Sequence, residues 1–132
     1  RNSVMTKLER ARELRADTTR HYNCCQSVVL PFAEELGLDE EAVLKLAEHF
    51  GSGMRRGSVC GAVTGGLMAL GLMGKSGSQD AQAFQRAFRE GSQYLDCAEL
   101  LKCAKEHGEE KKEHCDRMVF LAVELVEEML KN

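Results

Sequence analysis

The sequence predicts an all-α fold, a compact single-domain bundle of about six to seven helices, several of them short. Apolar residues recur at helical spacing along the chain, as in the last segment, where Met118, Ala122, Leu125 and Met129 form one stripe. No segment alternates apolar and polar residues as a half-buried strand does. The chain has 132 residues, enough for one domain and too few for two of ordinary size. Residues 1–132 are therefore interpreted as one cysteine-rich helical domain.

Capping residues delimit the helices of the first half. Three helices are predicted there, over residues 5–19, 24–36 and 39–50. Asn23 with Gln26 three residues later is a capping-box pattern at the start of the second helix. Pro31 lies inside that helix and is expected to kink it, because proline has no N–H to donate. Asp39 is the expected N-cap of the third helix. Since Arg1 is not an initiator, residues 1–4 are interpreted as a cloning remnant, or Met5 as the natural start.

The second half is divided by polar turns. The helices predicted there cover residues 60–74, 78–95 and 97–103, and a last one starts between residues 110 and 115 and runs to the end. Ser58, Ser78 and Asp96 are their expected N-caps. Residues 105–112 are charged and contain a glycine, which indicates an exposed connection before the last helix.

Charge and hydropathy exclude several classes of function. The net charge is −3, which gives no basis for binding nucleic acid or an anionic membrane. The longest apolar stretch, residues 67–73, is interrupted by Gly71 and is too short to span a membrane. The N-terminus is charged and lacks the apolar region of a secretion signal. A cytoplasmic protein is therefore expected, with neither nucleic acid nor membrane as a partner.

Six cysteines are many for a cytoplasmic chain. In a reducing compartment they are expected to bind metal or act chemically rather than form structural disulfides. The sequence contains no Cys-x-x-Cys and no zinc-finger spacing. Any site must therefore be assembled from distant parts of the chain.

The glycine-rich stretch 51–74 has Cys60 near its middle. With Ser58 as the N-cap, Cys60 is expected in the first turn of a helix, where the helix dipole should lower the pKa of its thiol. Gly61 and Gly65 follow at four-residue spacing and leave one side of this helix almost without side chains. Another helix or a bound group is expected to approach the backbone closely there.

Four cysteines share a position near the start of a predicted helix: Cys24, Cys60, Cys97 and Cys115. Helix N-termini stabilise negative charge, so converging helix starts would stabilise several thiolates or an anionic metal–sulfur centre. Cys25 and Cys103 lie deeper in their helices and are expected to pack in the core. The competing interpretation is that all six cysteines are ordinary packed residues.

The run Cys60-Gly61-Ala62-Val63-Thr64-Gly65 resembles the Cys-Gly-Ala-x-x-Gly signature of the C_GCAxxG_C_C family of redox-active bacterial proteins. Three further positions resemble the other cysteines of that family: Cys24 after Asn23, Cys97 before Ala98-Glu99, and Cys115 ahead of the last helix. The resemblance covers about residues 20–130, and Pro31, Cys25 and Cys103 depart from the family pattern. It implies a redox role without naming a reaction.

Three functions follow as expectations. In the first, Cys24, Cys60, Cys97 and Cys115 hold an iron–sulfur cluster, most plausibly [2Fe–2S], for electron transfer with a redox partner protein. The same four cysteines would hold zinc in a structural variant. In the second, a metal-free thiol–disulfide oxidoreductase or sensor uses Cys60 as the attacking thiolate. The third is a purely structural, partner-binding bundle. A homodimer is left open by the sequence, and Gly61 and Gly65 are expected beside the site.

Other candidate residues carry weaker signals. His21 and His114 lie near Cys24 and Cys115 in the sequence and could ligate a metal or tune a thiol, but exposed polar positions are favoured. Arg55 and Arg56 precede Cys60 in the glycine-rich loop, where they could stabilise thiolates or bind an anion, or form a solvated surface pair. His49 and His107 belong to no constellation and are expected to face solvent.

Two enzyme classes find no support. The glycine-rich loop follows a predicted helix rather than a strand and lacks the Gly-Lys-Ser/Thr ending of a phosphate-binding loop. A nucleophilic dyad of Cys60 with a histidine would need an orienting acid, and the sequence indicates none.

Overall fold

The computed structural model describes residues 5–132, and this part of the chain forms seven α-helices and no strand, which confirms the predicted all-α class. The expectation for residues 1–4 lies outside the described residues. The helices are α1 (Lys7–Ala16), α2 (Cys24–Glu35), α3 (Glu40–Leu46), α4 (Gly61–Leu72), α5 (Ser78–Ser92), α6 (Cys97–Glu106) and α7 (Lys111–Leu130).

Local capping explains where the early helices begin. The Asn23 side chain accepts a hydrogen bond from the Gln26 N–H at 2.8 Å, and the Asn23 N–H donates to the Gln26 side chain at 2.8 Å. This reciprocal pair is the predicted capping box, and it satisfies two N–H groups at the start of α2. Asp39 caps α3 by accepting from the Ala42 N–H, also as predicted.

Several predicted boundaries were wrong by a few residues. Helix α1 ends at Ala16 rather than residue 19, and α3 ends at Leu46, where the chain tightens into the 3-10 turn Glu48–Phe50. Helix α6 continues to Glu106, three residues beyond the prediction. Ser78 is the first residue of α5 rather than its N-cap, because the N–H ahead of it, on Gly77, already donates to the Asp80 carboxylate.

Helix α2 is the centre of the bundle. Its residues 25–33 are all buried, since α1, α3, α4 and α7 pack around it. Helix α4 comes closest, because glycines face α2: a Cβ at Gly65 would lie 2.8 Å from the Cys25 carbonyl oxygen, and one at Gly61 would lie 3.2 Å from the Cys24 Cβ. The predicted close approach is therefore that of a helix, and it brings the starts of α2 and α4 together.

The loop before α4 has an unusual backbone. Ser52, Met54 and Arg55 have positive φ angles, as do Gly53 and Gly57. The loop closes on itself through the Ser58 N–H, which donates to the Gly53 carbonyl at 2.9 Å. Ser58 is therefore part of this turn and not the N-cap of α4.

Candidate functional site: a cavity lined by four cysteines

Four helix starts meet at one cavity of about 390 Å³, and its walls include Cys24, Cys60, Cys97 and Cys115. These are the four cysteines singled out from the sequence; their role stays a prediction, but the structure places them together. Cys25 and Cys103 do not line this cavity. Cys25 is buried with its Sγ 3.6 Å from the sulfur of Met68, and Cys103 lies 3.8 Å from the His107 ring in the wall of a separate cleft.

Cys60 and Cys97 are held near one another by a backbone bridge. The Cys60 N–H donates to the Leu95 carbonyl at 2.8 Å, and the Cys97 N–H donates to the Ser58 carbonyl at 2.6 Å. Between these bonds Val59 and Asp96 form an isolated antiparallel bridge. The starts of α4 and α6 are thereby fixed side by side. Asp96 occupies the N-cap position of α6, as predicted, but its side chain makes no capping bond.

Cys24 and Cys115 form the second pair, in which the Cys24 thiol favours negative charge on the Cys115 sulfur. Arg15 links the segments that carry them. Its guanidinium donates to the Tyr22 carbonyl at 2.8 Å and to the Asp116 carboxylate at 2.7 Å. Since Tyr22 lies just before α2 and Asp116 follows Cys115, this arginine ties the start of α2 to α7.

The structure reverses the expected electrostatics of Cys60. Burial raises the pKa of its thiol to about 11, although the Ala62 and Val63 N–H groups at the start of α4 act to lower it. Cys60 occupies the N-cap position itself and is only 6 % exposed. The predicted lowering of its pKa was wrong, because desolvation of a thiolate here outweighs the helix start.

Negative charge is favoured at Cys115 instead. The hydrogen bond from the Cys24 thiol lowers the pKa of Cys115 to about 7, and Arg15 and Lys111 add to this, while burial opposes it. The same hydrogen bond and burial raise the pKa of Cys24, and burial together with the charge of Cys115 raises that of Cys97. Of the three, Cys115 is therefore the cysteine that most readily forms a thiolate, and Cys24 is the thiol that stabilises it.

The two nearby histidines differ. His21 is exposed at the cavity, as expected. His114 was expected to be exposed but is buried at 4 % exposure, and its ring also borders a second cleft of about 200 Å³. Its Nδ1 lies 3.5 Å from a Glu109 carboxylate oxygen without a hydrogen bond, and burial lowers the pKa of its ring.

The remaining predicted residues lie around the site. Gly61 lines the cavity, whereas Gly65 does not and instead contacts Cys25 and Val28 of α2. Arg55 and Arg56 are exposed and lie outside the cavity, which agrees with the interpretation as surface residues. His49 and His107 are exposed, as expected.

Among residues 5–132, no three histidine, cysteine or acidic side chains form a group arranged to hold a metal ion. The donor set itself fits an iron–sulfur cluster, because four cysteine thiolates are the usual ligands of such clusters. The four cysteines line a cavity of about 390 Å³, and no carboxylate lines it in this part of the chain. The residues present therefore suit the group in the chemistry of their donor atoms, although the side chains of the described residues are not arranged as a metal-binding group in this structure.

A family described as "Putative redox-active protein (C_GCAxxG_C_C)" matches residues 22–129. The chain belongs to this family. The resemblance inferred from the cysteine motif is thereby confirmed, and the matched part contains all four cavity cysteines. The comparisons found no match among curated proteins and none among solved structures. Within residues 5–132, none of the helices has the length and apolar character needed to cross a membrane.

Sequence reasoning missed Arg15 and Asp116, since neither belongs to a local motif and 101 positions separate them. Replacing Arg15 by glutamine is expected to raise the pKa of Cys115, because a cation that stabilises its thiolate is lost. The pH dependence of Cys115 alkylation, followed by mass spectrometry, measures this shift. Arg12→Gln removes the same charge from an exposed position on α1 and should leave the profile in place. An unchanged profile in the Arg15 variant would refute the assigned role.

Proposed function

We propose that this member of the family is an electron-transfer protein whose Cys24, Cys60, Cys97 and Cys115 hold an iron–sulfur cluster, with [2Fe–2S] favoured. One observation carries the proposal: four cysteines from four helix starts, distant in sequence, line a single cavity. Disulfide chemistry needs only two thiols. It would leave the presence of the other two cysteines in the same cavity unexplained. The family's description as redox-active supports the same class of function.

The protein's own groups suit a buried anionic centre. Cys60 lies at the closed side, while Cys97 and Cys115 are partly exposed and provide the route to solvent. Leu100 and Met118 supply apolar walls, which restrict water. A bound cluster would supply one-electron redox chemistry.

The cations suit the same role. The Arg15 guanidinium and the Lys111 ammonium group act to stabilise negative charge on Cys115. Positive charge beside an anionic cluster stabilises its reduced, more negative form and so raises its reduction potential.

Anaerobic purification tests the proposal. The protein, as isolated or after anaerobic reconstitution with iron and sulfide, is expected to show visible sulfur-to-iron absorption and to contain iron with acid-labile sulfide. Two irons per chain would identify [2Fe–2S]. Colourless, iron-free protein after reconstitution would contradict a cluster, and zinc at one equivalent would instead indicate a structural Cys₄ site.

A second candidate is metal-free thiol–disulfide exchange, and the stabilisation of a Cys115 thiolate by the neighbouring Cys24 thiol favours it. The Cys115 thiolate would attack a disulfide of a partner, form a mixed disulfide and release one partner thiolate. Cys24, after losing its proton, would then attack Cys115 and release the second. The products are a Cys24–Cys115 disulfide and a reduced partner dithiol. The high pKa of Cys60 makes it a poorer attacking thiol than its place in the sequence motif predicts.

Peptide mapping distinguishes the two candidates. A metal-free exchange protein should give one reversible disulfide, between Cys24 and Cys115, when equilibrated with glutathione buffers near the cytosolic potential. Equally slow alkylation of all six thiols would exclude this candidate.

A further inference from the structure

The cysteine cavity continues into a second surface cleft. The two share His21, Asn23 and Ser52 in their walls, and the second cleft has a volume of about 330 Å³. Together they form one continuous surface, which we call the mouth face, on the side of the molecule where Cys97 and Cys115 reach solvent.

Cations dominate the mouth face. Within the described part of the chain, its walls carry one carboxylate, Glu48, and five cationic side chains: Arg15, Arg20, Arg55, Lys111 and Lys112. The chain as a whole has a net charge of −3. Cationic side chains therefore outnumber carboxylates on this face of a protein that is acidic overall.

Two of these cations, Arg15 and Lys112, pair with the Asp116 carboxylate, and the Arg15 side chain is only 7 % exposed, so the accessible charge of the face lies mainly on the other three. Arg20 pairs with Glu41 and Arg55 with Glu48, the latter at 3.9 Å, and all four side chains are about half exposed. Exposed pairs of this kind contribute little and can exchange partners. Lys111 is exposed and forms no ion pair within the described residues.

We propose that the mouth face is a docking surface for an acidic redox protein, which exchanges electrons with the centre in the cavity. This proposal rests on the proposed redox function and names the kind of partner. Charge complementarity of this type steers encounter and orients the partner, with the thiols of Cys97 and Cys115 beneath it. The surface extends across two clefts and carries cations around both, which suits a protein surface better than a single small anion.

Binding measurements with two probe proteins test the preference. An acidic plant-type ferredoxin should bind the iron-loaded chain in isothermal titration, whereas a basic cytochrome c should not. Raising the ionic strength from about 0.01 M to about 0.15 M should weaken ferredoxin binding by roughly tenfold or more, since the Debye length falls from about 30 Å to about 8 Å. Equal binding of both probes, or insensitivity to salt, would overturn the proposal.

Two charge reversals locate the surface. Lys111→Glu and Arg55→Glu should each weaken ferredoxin binding several-fold. Arg55 does not line the cysteine cavity, so its effect reports on docking rather than on the centre itself. Lys45→Glu makes the same change at an exposed position of α3 outside both clefts and should bind like the unmodified chain. Equal loss in all three variants would refute a specific docking face.

The outcomes separate this proposal from the cluster. Iron-free protein that still binds the ferredoxin with salt dependence would refute the cluster and retain the docking face. Iron-loaded protein that binds ferredoxin no better than cytochrome c would support the cluster and refute the docking face. A dianionic aromatic disulfide serves as a small-anion probe of the thiols. If Arg55→Glu changes the rate at which this disulfide reacts with the thiols but does not change ferredoxin binding, the mouth face binds small anions. The proposal of protein docking is then overturned.

Discussion

Replacing Cys60 by alanine is expected to lower the iron bound after anaerobic reconstitution to background, a loss of at least about tenfold. Replacing a residue that only hydrogen-bonds to a metal ligand already lowers metal affinity by about that factor, and Cys60 is proposed as a ligand itself. Cys60 is the most buried of the four cavity cysteines and occupies the N-cap position of α4. Its high pKa in the metal-free protein means that binding iron there must displace a proton from sulfur. Loading of the unmodified chain should accordingly improve as the pH rises from about 6 to about 8.

Cys103→Ala is the matched control. Cys103 also lies in a helix and is partly buried, but it is outside the cavity. Its variant should keep full iron content and the visible spectrum, and circular dichroism should show that both variants remain helical. Normal iron content in the Cys60 variant, or equal loss in both, would contradict the assigned ligand set.

Replacing Gly65 by alanine is expected to destabilise the fold by about 2–3 kcal/mol, the upper range for overpacking a core. The added Cβ would lie 2.8 Å from the Cys25 carbonyl oxygen and 3.0 Å from the Val28 Cβ. Backbone cannot rotate away as a flexible side chain can, so α2 and α4 would have to separate. The free energy of unfolding, measured by chemical denaturation of the reduced protein, reports the change.

Gly71 provides a control in the same helix, where an added Cβ meets no atom within 4 Å. Gly71→Ala should therefore stabilise the protein by about 0.5–1 kcal/mol, because alanine loses less backbone entropy and has the higher helix propensity. Opposite signs at the two positions are the expected result. A Gly65 variant as stable as the unmodified chain would show that the two helices are not closely packed.

Helix starts were the part of the fold most accessible to sequence reasoning. Asn23 with Gln26, and Asp39, carry their signals within four residues, and the structure has both caps as predicted. Ser58 shows the limit of that reasoning. A serine two residues before a helix satisfies the local pattern, but the Gly53 carbonyl and the backbone bridge to α6 fix it in a different conformation.

By itself, the sequence determined the all-α class and the family, and it singled out the four cysteines that line one cavity, because caps, periodicity and a short motif are local properties. Only the tertiary structure decided which cysteine favours the thiolate. The pKa of a thiol depends on burial and on neighbours that are distant along the chain. Burial raises the pKa of Cys60. Folding brings Cys24 and Arg15 to α7, where they lower the pKa of Cys115. A helix start favours negative charge, but desolvation and contacts made by folding decide where that charge resides.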